Sequence, residues 1–293
     1  MVTRMTTPSQ RMPPVNGYQK RKMADLPHGT RSPLDYAVTR NAQGTMAMVQ
    51  EAIAHNQTLL AFQPVMRSDA QAQAGFYEGL IRVLDPTGRV IPAAEFMGKV
   101  EDTETGREID VLALRHGLNT LRNNPTIRLS INMSARSIGY RPWMNCLNRF
   151  LNETPEIGAR LILEITENSV MTVPELVIDF MHRLQCNGIC FAMDHFGSGQ
   201  MAIRYFKDFD FDIVKIDGQF IRDIADDPDK RATTRALAAV AREFGILTVA
   251  ESVETSEDAT MATSLGIDLL QGYFFAAPTT RPDWLGDSQQ RKR

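Results

Sequence analysis

The chain has 293 residues, 43% of them hydrophobic and 23% charged, with a formal net charge of −3 and a pI near 6.0. That balance supplies apolar surface for one large barrel or two ordinary domains and argues against a chain-wide basic footprint for nucleic acid. No apolar run approaches the roughly 20 residues of a membrane span, and the N-terminus lacks the apolar segment of a secretion signal, so a cytoplasmic protein is expected.

Residues 1–42 are rich in Pro, Arg, Lys and Ser, including Arg11, Pro13, Pro14 and the Lys20, Arg21, Lys22 cluster. Such a composition buries too little surface to offset ordering, so a disordered tail is expected; its functional alternative is a basic arm for a protein partner or an acidic surface. From Thr45 the spacing of Met46, Val49, Ile53 and Leu59 is helical. Strand-like runs then recur at Leu59 to Met66, Phe76 to Val83, Ile127 to Met133, Arg160 to Glu167, Ile189 to Phe196, Phe211 to Asp217, Ile246 to Val253 and Leu269 to Ala276. Amphipathic stretches separate most of them. Eight strands with interleaved helices over about 230 residues predict an α/β fold, a closed TIM-like (β/α)8 barrel rather than an open doubly wound sheet. The barrel is placed at 43–280 and a polar C-terminal tail at 281–293.

The link from Arg67 to Gly75 is short for a parallel crossover carrying a helix, which predicts a first strand antiparallel to the second. Lys230 to Phe244 is read as a helix with Leu237, Val240, Ala241 and Phe244 on its inner side and Gly245 as its stop. Thr255 to Leu265 is read as another, capped by its Thr, Ser, Glu and Asp and ended by Gly266. Cys146, Cys186 and Cys190 form no Cys-x-x-Cys pair and are expected to be buried, reduced thiols.

The carboxyl ends of the predicted strands hold more polar chemistry than barrel packing needs. The run from Phe191 to Met193 ends in Asp194 and His195 and is released by Gly197 and Gly199. Glu78, Asn132, Glu164, Glu167, Lys215, Asp217, Glu251, Glu254 and Gln271 occupy corresponding places on the other strands. Taken singly, each fits a salt-bridged barrel residue; their recurrence points to a shared site, and clusters of Asp, Glu and Asn suit hard divalent cations.

These residues fall into a series that resembles the EAL-domain family of bacterial cyclic di-GMP phosphodiesterases and receptors. The matching motifs are Glu78-Gly79-Leu80, Asn132-Met133-Ser134, Glu164-Ile165-Thr166-Glu167, Asp194-His195-Phe196-Gly197, Lys215-Ile216-Asp217, Glu251-Ser252-Val253-Glu254 and Gln271-Gly272-Tyr273. They cover Ala42 to Pro278, and Phe62-Gln63-Pro64 and Arg82 agree as well. The resemblance implies two divalent cations, magnesium or manganese, and hydrolysis of cyclic di-GMP to linear pGpG. It assigns Glu78, Asn132, Glu164 and Asp194 to the first metal, and Asp194, Glu251 and position 195 to the second. It gives Lys215 the water, Glu167 the glycine loop, and Gln271 a place near the water or phosphate. Gln63, Glu78, Leu80, Arg82, Asn132, Asp217, Glu254 and Pro278 become nucleotide contacts. The resemblance also implies a homodimer; a further reading, independent of it, is a scaffold that uses the barrel surface and the basic tail for contacts with a protein partner without nucleotide.

Position 195 departs from the family pattern, because active members carry a second aspartate where this chain has His195. Imidazole suits zinc, iron or nickel better than magnesium, so a weakened magnesium site and impaired hydrolysis are expected. The alternatives are an inactive cyclic di-GMP receptor signalling through a partner, and a neutral His195 that only hydrogen-bonds beside the site. Smaller departures are Gly79 for alanine, Ser252 for glycine, and Gln200 with Met201 for an aromatic residue and serine.

Overall fold

A computed structural model describes residues 33–69, 73–199 and 206–285, with side chains from residue 43 onward. The N-terminal tail up to residue 32, Gln200 with Met201, and the C-terminal tail from residue 286 lie outside the described residues. Helix α1 spans Pro33–Ala54, and the compact unit that carries the barrel begins at Thr45. Helix therefore starts before the expected tail boundary. Among the described residues, no helix is long and apolar enough to cross a membrane.

After α1 come β1 (Thr58–Arg67), β2 (Ala74–Leu84), β3 (Val90–Pro92), α2 (Met97–Val100), α3 (Glu104–Asn123), β4 (Leu129–Asn132), α4 (Arg141–Glu153) and β5 (Leu161–Thr166). They are followed by α5 (Glu167–Thr172), α6 (Pro174–Gln185), β6 (Cys190–Phe196), β7 (Ile213–Ile216), α7 (Pro228–Glu243), β8 (Leu247–Ala250), α8 (Ser256–Ser264) and β9 (Leu269–Leu270). The strand order is β1-β9-β8-β7-β6-β5-β4-β2-β3, and β1 also pairs with β2, which closes the ring. With β3 outside it, eight strands form the barrel. As the short link required, β1 runs antiparallel to both β2 and β9; the remaining barrel pairs are parallel.

Local chemistry explains the elements. Helix α4 buries Trp143, Cys146, Leu147, Phe150 and Leu151, the stripe that a 3.6-residue period lays on one face. Helix α7 starts at Pro228 behind Asp227, whose carboxylate accepts from the amides of Asp229 and Lys230. Its fully buried residues are Thr234, Ala238 and Ala241; of the expected face, Ala241 is buried and Leu237 packs half-buried against the core, while Phe244 is not on it. Small residues let the helix lie close to the sheet, and Phe244, just past the last turn, is 42% exposed against the Phe206 ring.

Two further differences have visible causes. The unexpected strand β3 is a hairpin return from β2, folded by Asp85, whose Oδ1 accepts from the Thr87 amide at 2.8 Å and the Arg89 amide at 3.0 Å. The last strand keeps two residues instead of eight because the chain turns at Gly272. A Cβ there would overlap the Val253 carbonyl, and Phe275 N closes back on Gly272 O at 3.1 Å. The three cysteines are free, and only Cys146 is buried; Cys186, just past α6, is exposed and Cys190 is half-buried, which corrects the expectation that all are buried.

Candidate functional site

The barrel interior is built in layers. Val65, Phe76, Ile162, Ala192, Ile213, Val249 and Leu269 form one buried apolar cluster. Because alternate residues of a strand share a face, the next interior position lies two residues on. Those positions are Glu78, Glu164, Asp194, Lys215, Glu251 and Gln271, while β1, running the opposite way, supplies Gln63 two residues before Val65. An apolar layer thus carries a polar one, at the carboxyl ends of the parallel strands.

Lys215 is the hub. Its side chain is 1% exposed, and its Nζ lies 2.8 Å from Glu164 Oε2, 2.9 Å from Glu251 Oε1, 3.1 Å from Glu78 Oε2 and 3.6 Å from Asp194 Oδ1. Burial pulls the ammonium pKa down, but the surrounding carboxylates outweigh it and hold Lys215 well above its ordinary value. Burial pushes the Glu164 and Glu251 carboxyls up to about 8, against the pull of Lys215. Asp194 goes the other way: burial opposes its ionisation, and Lys215 and His195 together overcome this and lower its pKa. Around the hub, Glu78 Oε1 accepts from Asn132 Nδ2 at 2.8 Å. Gln271 Nε2 donates to Glu78 Oε2 at 2.6 Å and to Gln63 Oε1 at 3.2 Å.

His195 sits where the β6–β7 register shifts between Met193 and Phe196, in the left-handed region at φ 58°. A ladder irregularity of this kind re-aims a side chain, and here the side chain is 52% exposed. Its Nδ1 lies 3.0 Å from Asp217 Oδ2 and 3.9 Å from Glu251 Oε2, and its Nε2 3.6 Å from Asp194 Oδ2. The following loop is tied down by Glu167, whose Oε2 accepts from the amides of Gly197 at 2.9 Å and Gly199 at 3.2 Å.

Above this layer opens a cavity of about 360 Å³. Of the sequence-predicted residues, Gln63, Glu78, Leu80, Asp194, His195, Lys215, Glu251, Glu254 and Gln271 line it. Asn132 lines a neighbouring, more apolar cavity that shares Leu80, Asp194 and His195. Glu164 lies beneath, fully buried, and Asp217 is engaged by His195. Arg82 and Pro278 are not in the lining; Arg82 donates to the Ile81 carbonyl at 3.0 Å, and burial lowers its pKa. Arg222, Ser252 and Tyr273, to which no role was assigned from the sequence, do line the cavity. Arg222 belongs to a turn without periodicity, so no pattern marked it.

The donor set fits a divalent cation. One ligand atom each from Asp194, His195 and Glu251 lie within 4.8 Å of one another, and Glu164 Oε1 is buried without a hydrogen-bond partner. A carboxylate oxygen so placed costs free energy unless a cation or donor meets it.

The family profile described as the EAL domain matches residues 46–278. Among curated proteins, the chain is 30% identical to cyclic di-GMP phosphodiesterase PdeB of Shewanella oneidensis over 82% of its own length and 28% of that protein's. It is 31% identical to cyclic di-GMP phosphodiesterase PdeF of Escherichia coli over 83% of its own length and 32% of that protein's. It therefore spans about a third of these relatives. Among solved structures, the PaMucR phosphodiesterase in complex with c-di-GMP superposes with a TM-score of 0.71 at 25% identity, covering 80% of this chain and 97% of that one. The c-di-GMP-bound FimX EAL domain of Pseudomonas aeruginosa gives 0.74 at 23% identity, covering 82% and 98%, a likeness of fold. A profile that begins in α1, runs through all eight barrel strands and takes in every member of the polar layer leaves one assignment: the chain belongs to the EAL domain family.

Proposed function

We propose that this chain is a divalent-metal-dependent phosphodiesterase that opens cyclic di-GMP to linear pGpG, with turnover on magnesium lowered by His195. One observation carries the reading: four carboxylates converge on a single buried ammonium beneath an open cavity. That cluster is short of positive charge, and a bound divalent cation would supply it.

Glu78, Asn132, Glu164 and Asp194 would hold one ion, and Asp194, His195 and Glu251 a second. Bound there, the metal would contribute positive charge against the phosphate oxygens and a water of lowered pKa. Lys215 keeps the carboxylates convergent and counters negative charge developing on the phosphate. Gln271 bridges Glu78 and Gln63 and so fixes the metal-facing carboxylate relative to the nucleotide side of the cavity. Glu167 holds the glycine loop, and Gln63, Leu80 and Glu254 are assigned to the nucleotide. His195 offers a nitrogen where a carboxylate would bring a negative charge, which disfavours magnesium and suits zinc, iron or nickel.

The 3.0 Å contact between His195 Nδ1 and Asp217 favours a second reading, in which the ring stays engaged there and the barrel acts as a receptor signalling to a protein partner. Incubation with cyclic di-GMP and, separately, magnesium, manganese, cobalt or zinc, reading bound nucleotide and pGpG together, separates the two. Product with any of these metals supports the enzyme. Binding without product with all of them selects the receptor, and no binding at micromolar nucleotide refutes both.

A further inference from the structure

We propose that Arg222 and Ser252 form an anion clamp at the cavity rim, the Ser252 hydroxyl aiming the Arg222 guanidinium at the nucleotide phosphate that the carboxylate floor does not take. This rests on the cyclic di-GMP reading above and adds to it a recognition residue.

A cyclic dinucleotide carries two phosphodiesters. The carboxylate floor, were a cation bound there, would take one, which leaves the other to the groups at the rim. Among the described residues the cavity lining contains two lysine or arginine side chains, Lys215 and Arg222. Lys215 has three N–H donors, and Glu78, Glu164 and Glu251 lie within 3.1 Å of its Nζ. Its donors are taken by the floor, so it acts on an anion through its charge and not through a hydrogen bond. Arg222 is 55% exposed and has five donors in a planar fork, the geometry that matches phosphate. Its Nε donates to Glu254 Oε1 at 3.2 Å and one terminal nitrogen to Ser252 Oγ at 3.2 Å, which fixes the plane of the fork and leaves further donors.

The backbone is shaped around this contact. Ser252 holds φ 57° and Asp223, next to Arg222, φ 59°, the left-handed region that side chains other than glycine seldom occupy. Strain of this kind gathers where a side chain must be placed. Gly218 makes the room, since a Cβ there would overlap Ser252 Oγ. Lys230 Nζ donates to the Arg222 carbonyl at 2.6 Å and anchors the turn.

The competing account is an ordinary exposed ion pair between Arg222 and Glu254, which contributes little to anything. Calorimetric titration of cyclic di-GMP into the full chain with magnesium, at low and at high salt, decides between them alongside thermal melts. Arg222→Gln should bind about 10- to 100-fold more weakly, as loss of a charged hydrogen-bonding fork requires, and should lose much of the salt dependence. Arg222→Lys, which keeps the charge without the fork, should recover part of the affinity. Ser252→Gly relieves the left-handed strain, so it should melt no lower than the parent and yet bind several-fold more weakly, a combination that a merely structural serine would not produce. Wild-type affinity in Arg222→Gln, or in Ser252→Gly should the former fail to fold, overturns the clamp. Absence of binding by the unmutated chain overturns the nucleotide reading and the clamp with it, whereas parental binding with unaffected variants overturns the clamp alone.

Discussion

Replacing Lys215 by methionine keeps the length and apolar stem of the side chain and removes the ammonium that faces four carboxylates at 2.8 to 3.6 Å. Little cavity is created, so the loss is electrostatic. Deleting one partner of a buried ion pair costs about 3–5 kcal/mol, because the other charge stays desolvated and unpaired. With a urea slope of about 2–3 kcal/mol per molar, the unfolding midpoint of the metal-free protein should fall by about 1–2.5 M. The loss should depend on pH. Burial already pushes Glu164 and Glu251 up to about 8 with Lys215 present, and removing the lysine raises them further. A carboxyl with a raised folded-state pKa contributes its full stability below the unfolded value, about 4.3, and loses it as pH climbs through the folded one. The deficit is therefore smallest near pH 5 and grows through pH 8, and magnesium should recover more stability in the variant than in the parent. Urea titrations followed by circular dichroism in EDTA, at pH 5.5 and 8.5 and again with magnesium, provide the measurement. Equal midpoints for variant and parent at both pH values would refute the view that Lys215 neutralises the layer.

His195→Asp should raise magnesium-dependent pGpG formation at least about tenfold, the rate equivalent of 1.4 kcal/mol. Aspartate accepts the left-handed backbone of that position more readily than most residues, and an unchanged rate by product chromatography would show that position 195 is not limiting. Glu167→Gln retains an acceptor for the amides of Gly197 and Gly199 but loses its charge. Weakening two charge-assisted bonds by about 1–2 kcal/mol together should speed exchange of these amides about 5- to 30-fold, and unaltered protection would count against the tether. Asp110 is buried and accepts from Ser137 Oγ at 2.6 Å and Ser134 N at 3.0 Å, yet burial lifts its pKa from 3.8 to about 6. It favours the folded state below the unfolded pKa and costs up to about 3 kcal/mol once pH has risen through 6. Asp110→Asn should therefore flatten the decline of melting temperature between pH 4 and 7, and an identical slope would dismiss Asp110 as its source.

Much of the fold was legible because its signals are local. The short link after β1 forced an antiparallel first strand, and apolar runs ending in Glu, Asp or Lys marked the carboxyl ends of strands. Boundaries moved where a distant contact intervened. Gly272 meets the Val253 carbonyl and ends β9 at once, and the fully buried face of α7 is made of small residues, with Leu237 of the larger apolar ones only half-buried against the core. Among site residues, Arg82 fitted a motif yet lies outside the cavity lining, while Arg222 fitted none and lies in it.

The sequence by itself determined which side chains share the inner face of each strand, since a period of two is a property of the strand alone. The polar residues that end the apolar runs, among them Glu78, Glu164, Asp194, Lys215, Glu251 and Gln271, stood out in the sequence, and the family resemblance marked His195 as the departure. Tertiary structure decided how they meet. Ring closure and register bring Lys215 to Glu78 across 137 residues of chain, turn His195 toward Asp217, and lay Arg222 against Ser252 at the rim. Register and closure depend on how every strand pairs with its neighbours, and no stretch of sequence carries that information locally.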